Sequence, residues 1–139
     1  MEYISNSEAE TSQIAQSIAS KAKKGDTFLL YGTLGVGKSV FSRAFIKSLC
    51  GEETEVPSPT FTLLQTYESN SFEIFHFDLY RIEEDSELFE LRIEDALYGG
   101  VCLIEWPTKL GRYMPKKYKK IEISQKDNVR IINITEILN

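Results

Sequence analysis

"GTLGVGKS", residues 32–39, decides how this chain is read. Gly32 and Gly37 stand five apart, Gly35 lies between them, and Lys38 and Ser39 follow at once. The pattern G-x-x-x-x-G-K-[ST] needs each fixed residue for a physical reason. Glycines let the backbone wrap an anion closely, so that several N–H groups converge on it. The helix that follows presents its positive end to the same anion. In such a loop Lys38 reaches the β- and γ-phosphates, and the hydroxyl of Ser39 turns to Mg²⁺. A glycine turn that merely caps a helix is the competing reading. The flanks decide against it: the apolar run "TFLLY" (27–31) reads as a buried strand and "KSVFSRAFIKSLC" (38–50) as a helix. Phe41, Phe45, Ile46 and Leu49 fall on that helix's inner face, and Gly51 stops it.

Outward from this loop, the remaining pattern is that of one α/β domain. Ser7 and Glu10 form a capping box for an N-terminal helix that carries Ile14, Ile18 and Ala22 on one face and ends at Gly25. "EETEVPSPT" (52–60) holds two prolines and is irregular. Residues 61–80 read as two strands around the polar turn "ESNS", residues 83–100 as one helix ending at paired glycines, and "VCLIEW" as a buried strand. "PTKLGRYMP" is a loop or short helix, and "YKKIEIS" and "VRIINITEI" alternate as a closing hairpin over "QKDN". Helices and strands interleave at first and turn antiparallel later. The expectation is a single P-loop NTPase-like domain over residues 1–139, with a mixed parallel/antiparallel sheet flanked by helices.

Composition bounds the function. With 139 residues, 42% apolar and 27% charged, the chain is ordinary for a soluble globular domain. A net charge of −5 speaks against a free-standing nucleic-acid binder, and leaves open contact with a nucleic acid held by a partner. Cys50 and Cys102 have no CxxC spacing and read as reduced core residues of a cytoplasmic protein. The acidic, polar start "MEYISNSEAE" is not that of a signal peptide, and no apolar run nears the roughly 20 residues that span a bilayer.

A phosphate loop needs a carboxylate for its metal, usually at the end of a neighbouring buried strand. Two stand available. "VCLIE" ends in Glu105 after four apolar residues, and "FEIFHFD" ends in Asp78. Glu105 follows the cleaner buried strand; Asp78 could instead orient an attacking water or bind the metal's water shell. "SPTF" (58–61) is the natural switch segment, with the Thr60 hydroxyl available to a γ-phosphate or to Mg²⁺. The sole histidine, His76, reads as a packed core or edge residue. Trp106 and Pro107 read by default as packing, and Arg81 could pair with a carboxylate, a phosphate or a partner.

"GTLGVGKSVFSRAF", "VPSPTFTL", "HFDLYR", an "EL" in a helix and "IEWP", in this order, resemble the TsaE family, also called YjeE. These are bacterial P-loop ATPases required for making threonylcarbamoyladenosine in tRNA. The resemblance covers nearly the whole chain and implies a small α/β P-loop domain without a separate lid. It implies ATP and Mg²⁺ as cofactors, TsaD and TsaB as protein partners, contact with tRNA only through that complex, and hydrolysis that is weak until the partners are present. It places the ATP loop from Gly32 through Leu34, Gly35, Val36, Gly37, Lys38 and Ser39 to Val40. It gives Mg²⁺ to Ser39 and Glu105, the switch and catalytic or water-positioning roles to Thr60 and Asp78, and a place close to the nucleotide to Trp106. Thr11 matches a family threonine near the base, and Arg130 a late family arginine. Two departures stand out. The family usually has two threonines after the lysine, where this chain has Ser39 and Val40. Its helix after "EL" usually runs into Leu-Gly, where "ELFELRIED" puts Arg92.

Other readings share parts of this evidence. A small-molecule P-loop kinase could use Asp78 as base and Arg81 as substrate clamp, but the chain offers no evident arginine-rich lid. A GTPase-like switch lacks an Asn-Lys-x-Asp sequence after "IEWP". A scaffold that binds no nucleotide leaves the loop unexplained.

Overall fold

The structure, a computed structural model, describes residues 1–33 and 35–138. Among these, seven strands form one sheet in the order β1-β7-β6-β2-β5-β4-β3. At its centre β2 (Thr27–Tyr31) lies between β5 (Gly100–Glu105) and β6 (Lys117–Lys126), parallel to both, and β4 (Glu73–Asp78) continues the parallel block beyond β5. The flanks are antiparallel: β3 (Leu64–Glu68) on β4, and β7 (Val129–Leu138) between β6 and β1 (Glu2–Ser5). The expected mixed sheet and α/β class are therefore found.

Strand alternation sorts the core into two layers. Phe28, Leu30, Ile74, Val101, Leu103, Ile121 and Ile123 face α1 (Glu8–Ala19) and α2 (Lys38–Cys50). Leu29, Phe77, Cys102 and Ile104 face the other way, against α3 (Glu87–Glu90), α4 (Ile93–Gly99) and the 3₁₀ segment Pro107–Tyr113. The same period puts His76, Asp78 and Glu105 on the α2 side, which is the layer where the site forms. On α2, Phe41, Phe45 and Ile46 are fully buried and Leu49 is half-buried. No helix among the described residues is long and apolar enough to cross a membrane.

Four local expectations change. β1 was not foreseen; its pairing with β7 makes it a strand. The N-terminal helix ends at Ala19 rather than Gly25, because the N–H groups of Lys21 and Ala22 turn to the carbonyls three residues back. Its buried line is Thr11, Ala15 and Ala19, with Ile14 and Ile18 half-buried beside it. The capping box is present on one side, Glu10 N–H donating to Ser7 Oγ at 3.1 Å, while the Glu10 carboxylate returns to the N–H of Asn6 rather than of Ser7. The single helix expected over 83–100 is two, α3 and α4. They break at Arg92, which sits in the left-handed region (φ 55, ψ 44). The position does require positive φ, and an arginine supplies it.

Candidate functional site

In an open sheet with parallel strands, ligands gather outside the carboxyl ends of those strands. Here β2 ends at Tyr31 and runs directly into the loop at 32–37. All three glycines of that loop hold positive φ, and two of them shape the site. A Cβ on Gly32 (φ 153) would lie 2.7 Å from the Ile123 carbonyl oxygen and 2.7 Å from Val36 Cγ1, so strand β6 and the loop close over it only because it has none. Gly37 (φ 120) is the N-cap of α2 and offers no side-chain cap, which leaves the first N–H groups of the helix available to an anion. Val36 is buried, and its carbonyl accepts from Arg130 Nε at 2.8 Å, a tie from β7 that fixes the loop's outer turn. Leu34, expected in the loop, lies outside the described residues.

Lys38 is 5% exposed. Its ammonium donates to the Gly32 carbonyl at 2.7 Å and stands 3.6 Å above the centre of the Trp106 ring. Burial lowers its pKa below the ordinary lysine value, and the nearby Glu105 and Asp78 charges oppose that shift. Trp106 itself takes a left-handed backbone (φ 58, ψ 51) and stacks on Tyr80, ring centres 5.0 Å apart. A non-glycine residue held there is strained, a condition that clusters at working sites.

The two candidate carboxylates are brought together. Parallel pairing sets Asp78 opposite Glu105 at the ends of β4 and β5, and both are buried. Asp78 Oδ2 accepts from the Thr60 hydroxyl at 2.8 Å, and Oδ1 accepts from the Tyr80 N–H at 3.0 Å. Ser58 Oγ lies 2.8 Å from Thr60 Oγ1, so the "SPTF" segment is tied to Asp78 through a hydroxyl chain. Lys38, Ser39, Thr60, Asp78, Glu105 and Trp106 line one cavity of about 260 Å³. A second, of about 280 Å³, continues on the far side of Gly35, Gly37 and Val40 and is lined by Ser5, Thr11, Asn128 and Arg130. Thr11 Oγ1 and Ser5 Oγ share a hydrogen bond of 2.6 Å there.

Every described residue expected at the site thus lies in one of two cavities joined at the loop, except Gly32, which forms the loop's base. Arg81 instead lies over the exposed ring of Phe61, 5.0 Å from its centre. His76, read from the sequence as a packed core or edge residue, is buried in the sheet, and it also meets Glu105. Its Nε2 is 2.6 Å from Glu105 Oε2, and the two side chains are 3% and 5% exposed. The spacing 76–78 on one strand was the available signal, since it puts both residues on the same face.

The donor set suits a magnesium nucleotide. Among the described residues no group of three or more His, Cys, Asp or Glu could hold a metal by itself. Mg²⁺ is commonly held by one or two carboxylates together with substrate phosphates and water, and the exposed Ser39 hydroxyl and the Glu105 carboxylate face the same cavity as Lys38.

The family model described as "Threonylcarbamoyl adenosine biosynthesis protein TsaE" matches residues 5–132. A Rickettsia bellii protein named "tRNA threonylcarbamoyladenosine biosynthesis protein TsaE" is 45% identical, covering 95% of this chain and 92% of its own. A Bacillus subtilis protein of the same name is 37% identical over 94% of this chain and 82% of its own. The crystal structure of Bacillus subtilis YdiB superposes with a TM-score of 0.83 at 29% identity, covering 99% of this chain and 85% of that one. The chain belongs to the TsaE family.

Proposed function

We propose that this protein binds ATP with Mg²⁺ through the loop from Gly32 to Val40 and hydrolyses it. It does so as the cytoplasmic ATPase subunit that acts with TsaD and TsaB to make threonylcarbamoyladenosine in tRNA, and it meets the tRNA only through that complex. The observation that carries the reading is the buried Lys38 ammonium, held beneath a glycine loop beside two strand-end carboxylates.

Loop N–H groups and the start of α2 bind the phosphates. Lys38 leaves the Gly32 carbonyl for phosphate oxygens. Ser39 and Glu105 would hold Mg²⁺, and the ion would supply positive charge to the phosphate oxygens. Asp78 orients the attacking water, and Thr60, now bonded to Asp78, exchanges that partner for the γ-phosphate side of the site. Trp106 closes the wall beside Lys38; Thr11 and Arg130 serve the base and ribose side.

The site is open on its "SPTF" flank, where Phe61 is 81% exposed. Completion by a partner is therefore the natural source of rate, and such contributions reach about 10³-fold. Turnover of ATP is to be measured alone and with TsaD plus TsaB, for wild type and Thr60→Ala. Slow turnover alone, stimulation of at least about tenfold by the partners, and a Thr60→Ala defect larger in the stimulated rate than in ATP affinity support the reading. Partner-independent turnover speaks against it.

A further inference from the structure

We propose that His76 is a positioning residue for Glu105: its Nε2–H fixes one carboxylate oxygen so that the other is presented to the cation of the bound nucleotide. This rests on the reading above, in which Glu105 serves Mg²⁺. The parallel register pairs His76 with Leu103 and Asp78 with Glu105, so His76 is the diagonal neighbour of Glu105 one pleat deeper in the sheet. On that face His76 sits between Ile74 and Asp78 along β4, with Leu103 of β5 and Gln65 of β3 as its cross-strand partners, and Ile74 and Leu103 are fully buried. The imidazole is itself buried, and its Nδ1 has no hydrogen-bond partner among the described residues. A buried polar atom left unpaired opposes stability, so the ring's one bond, 2.6 Å to Glu105 Oε2, is its evident return.

That geometry calls for a proton on Nε2. With the proton on Nδ1 alone, a ring lone pair and a carboxylate oxygen would face each other at 2.6 Å. With a proton on Nε2, the ring donates to the carboxylate. Glu105 Oε2 is then occupied, and because Glu105 lines the cavity, Oε1 is the oxygen left for a ligand. A hydrogen bond to a ligating carboxylate orients it, and loss of such a partner commonly costs about 10–100-fold in metal affinity.

Two measurements test this. His76 is the only histidine, so a long-range ¹H–¹⁵N correlation of the nucleotide-free protein shows a single ring. A proton on Nε2 is expected; a ring protonated on Nδ1 alone overturns the proposal with no metal involved. The second measurement is Mn²⁺ affinity, by electron paramagnetic resonance in the presence of ADP, for wild type, His76→Gln and His76→Leu. His76→Leu should lose at least about tenfold and His76→Gln, which keeps an N–H donor, should stay within about threefold of wild type. Equal affinity in wild type and His76→Leu overturns the positioning role alone. Failure of the wild type to bind Mn²⁺ with ADP removes the metal reading of Glu105, and this role with it. If His76→Leu does not fold, the tautomer and the His76→Gln affinity decide.

Discussion

Lys38 is both the centre of the site and a burden on the fold. Its pKa is lowered by burial, so its charged form is less favoured in the folded chain than in the unfolded one. The folded chain therefore gives up that proton first, and stability rises as pH climbs from the lowered value toward the ordinary one. Lys38→Met should therefore raise the melting midpoint of the nucleotide-free protein while weakening ATP binding at least about tenfold, the scale of one charge-assisted contact. A lower midpoint would show that the bond to Gly32 and the Trp106 face outweigh desolvation. Cys102 makes a second prediction. Burial pushes its thiol up to about 12 from 9.0. Between those values the unfolded chain has lost a proton that the folded chain keeps, so stability falls as pH rises, by at most about 1.4 kcal/mol per pH unit. Urea midpoints taken across that range should fall more steeply for wild type than for Cys102→Ala; parallel slopes would show that another group carries the alkaline loss.

The break between α3 and α4 shows what an element owes to one backbone angle. Arg92 holds φ 55, and its guanidinium pairs with Asp95 at 2.7 Å in a fully solvated setting, 80% and 68% exposed. Exposed pairs contribute little. Arg92→Gly should therefore stabilise the domain by about 0.5–1.5 kcal/mol, since the left-handed backbone costs a non-glycine residue about 1–2 kcal/mol. A reduced midpoint by calorimetry would assign the pair more weight than the strain. The sequence displayed the helical spacing on both sides of Arg92 but nothing local that marks the break. The elements that were legible, β2, α2 and β5, are those with a strong apolar period and glycine boundaries. β1 was not, because "EYIS" has little apolar pattern and is a strand only through its pairing with β7, more than 120 residues away. Glu105 and Asp78 were legible as strand ends. Their partnership with His76 and Thr60 was not, because it depends on register between β4 and β5 and on where an irregular segment falls.

At the level of the whole molecule, one end of a seven-stranded sheet gathers loop, switch segment and two carboxylates from β2, β4 and β5, while β1 and β7 close the second cavity through Ser5 and Arg130. The parts are far apart in sequence, and a nucleotide spanning both cavities would touch each of them. The Trp106 indole lines the cavity of the two carboxylates as the only tryptophan, with the Lys38 ammonium 3.6 Å above its ring. If Lys38 leaves that ring for phosphate, the ring's electrostatic surroundings change. The most direct measurement is a titration of Mg·ATP followed by Trp106 emission, in wild type and in Lys38→Met. The structure predicts a saturable change in wild type and a much weaker response in Lys38→Met at the same concentrations. A wild-type emission that stays flat under a large excess of Mg·ATP would contradict nucleotide binding at this loop.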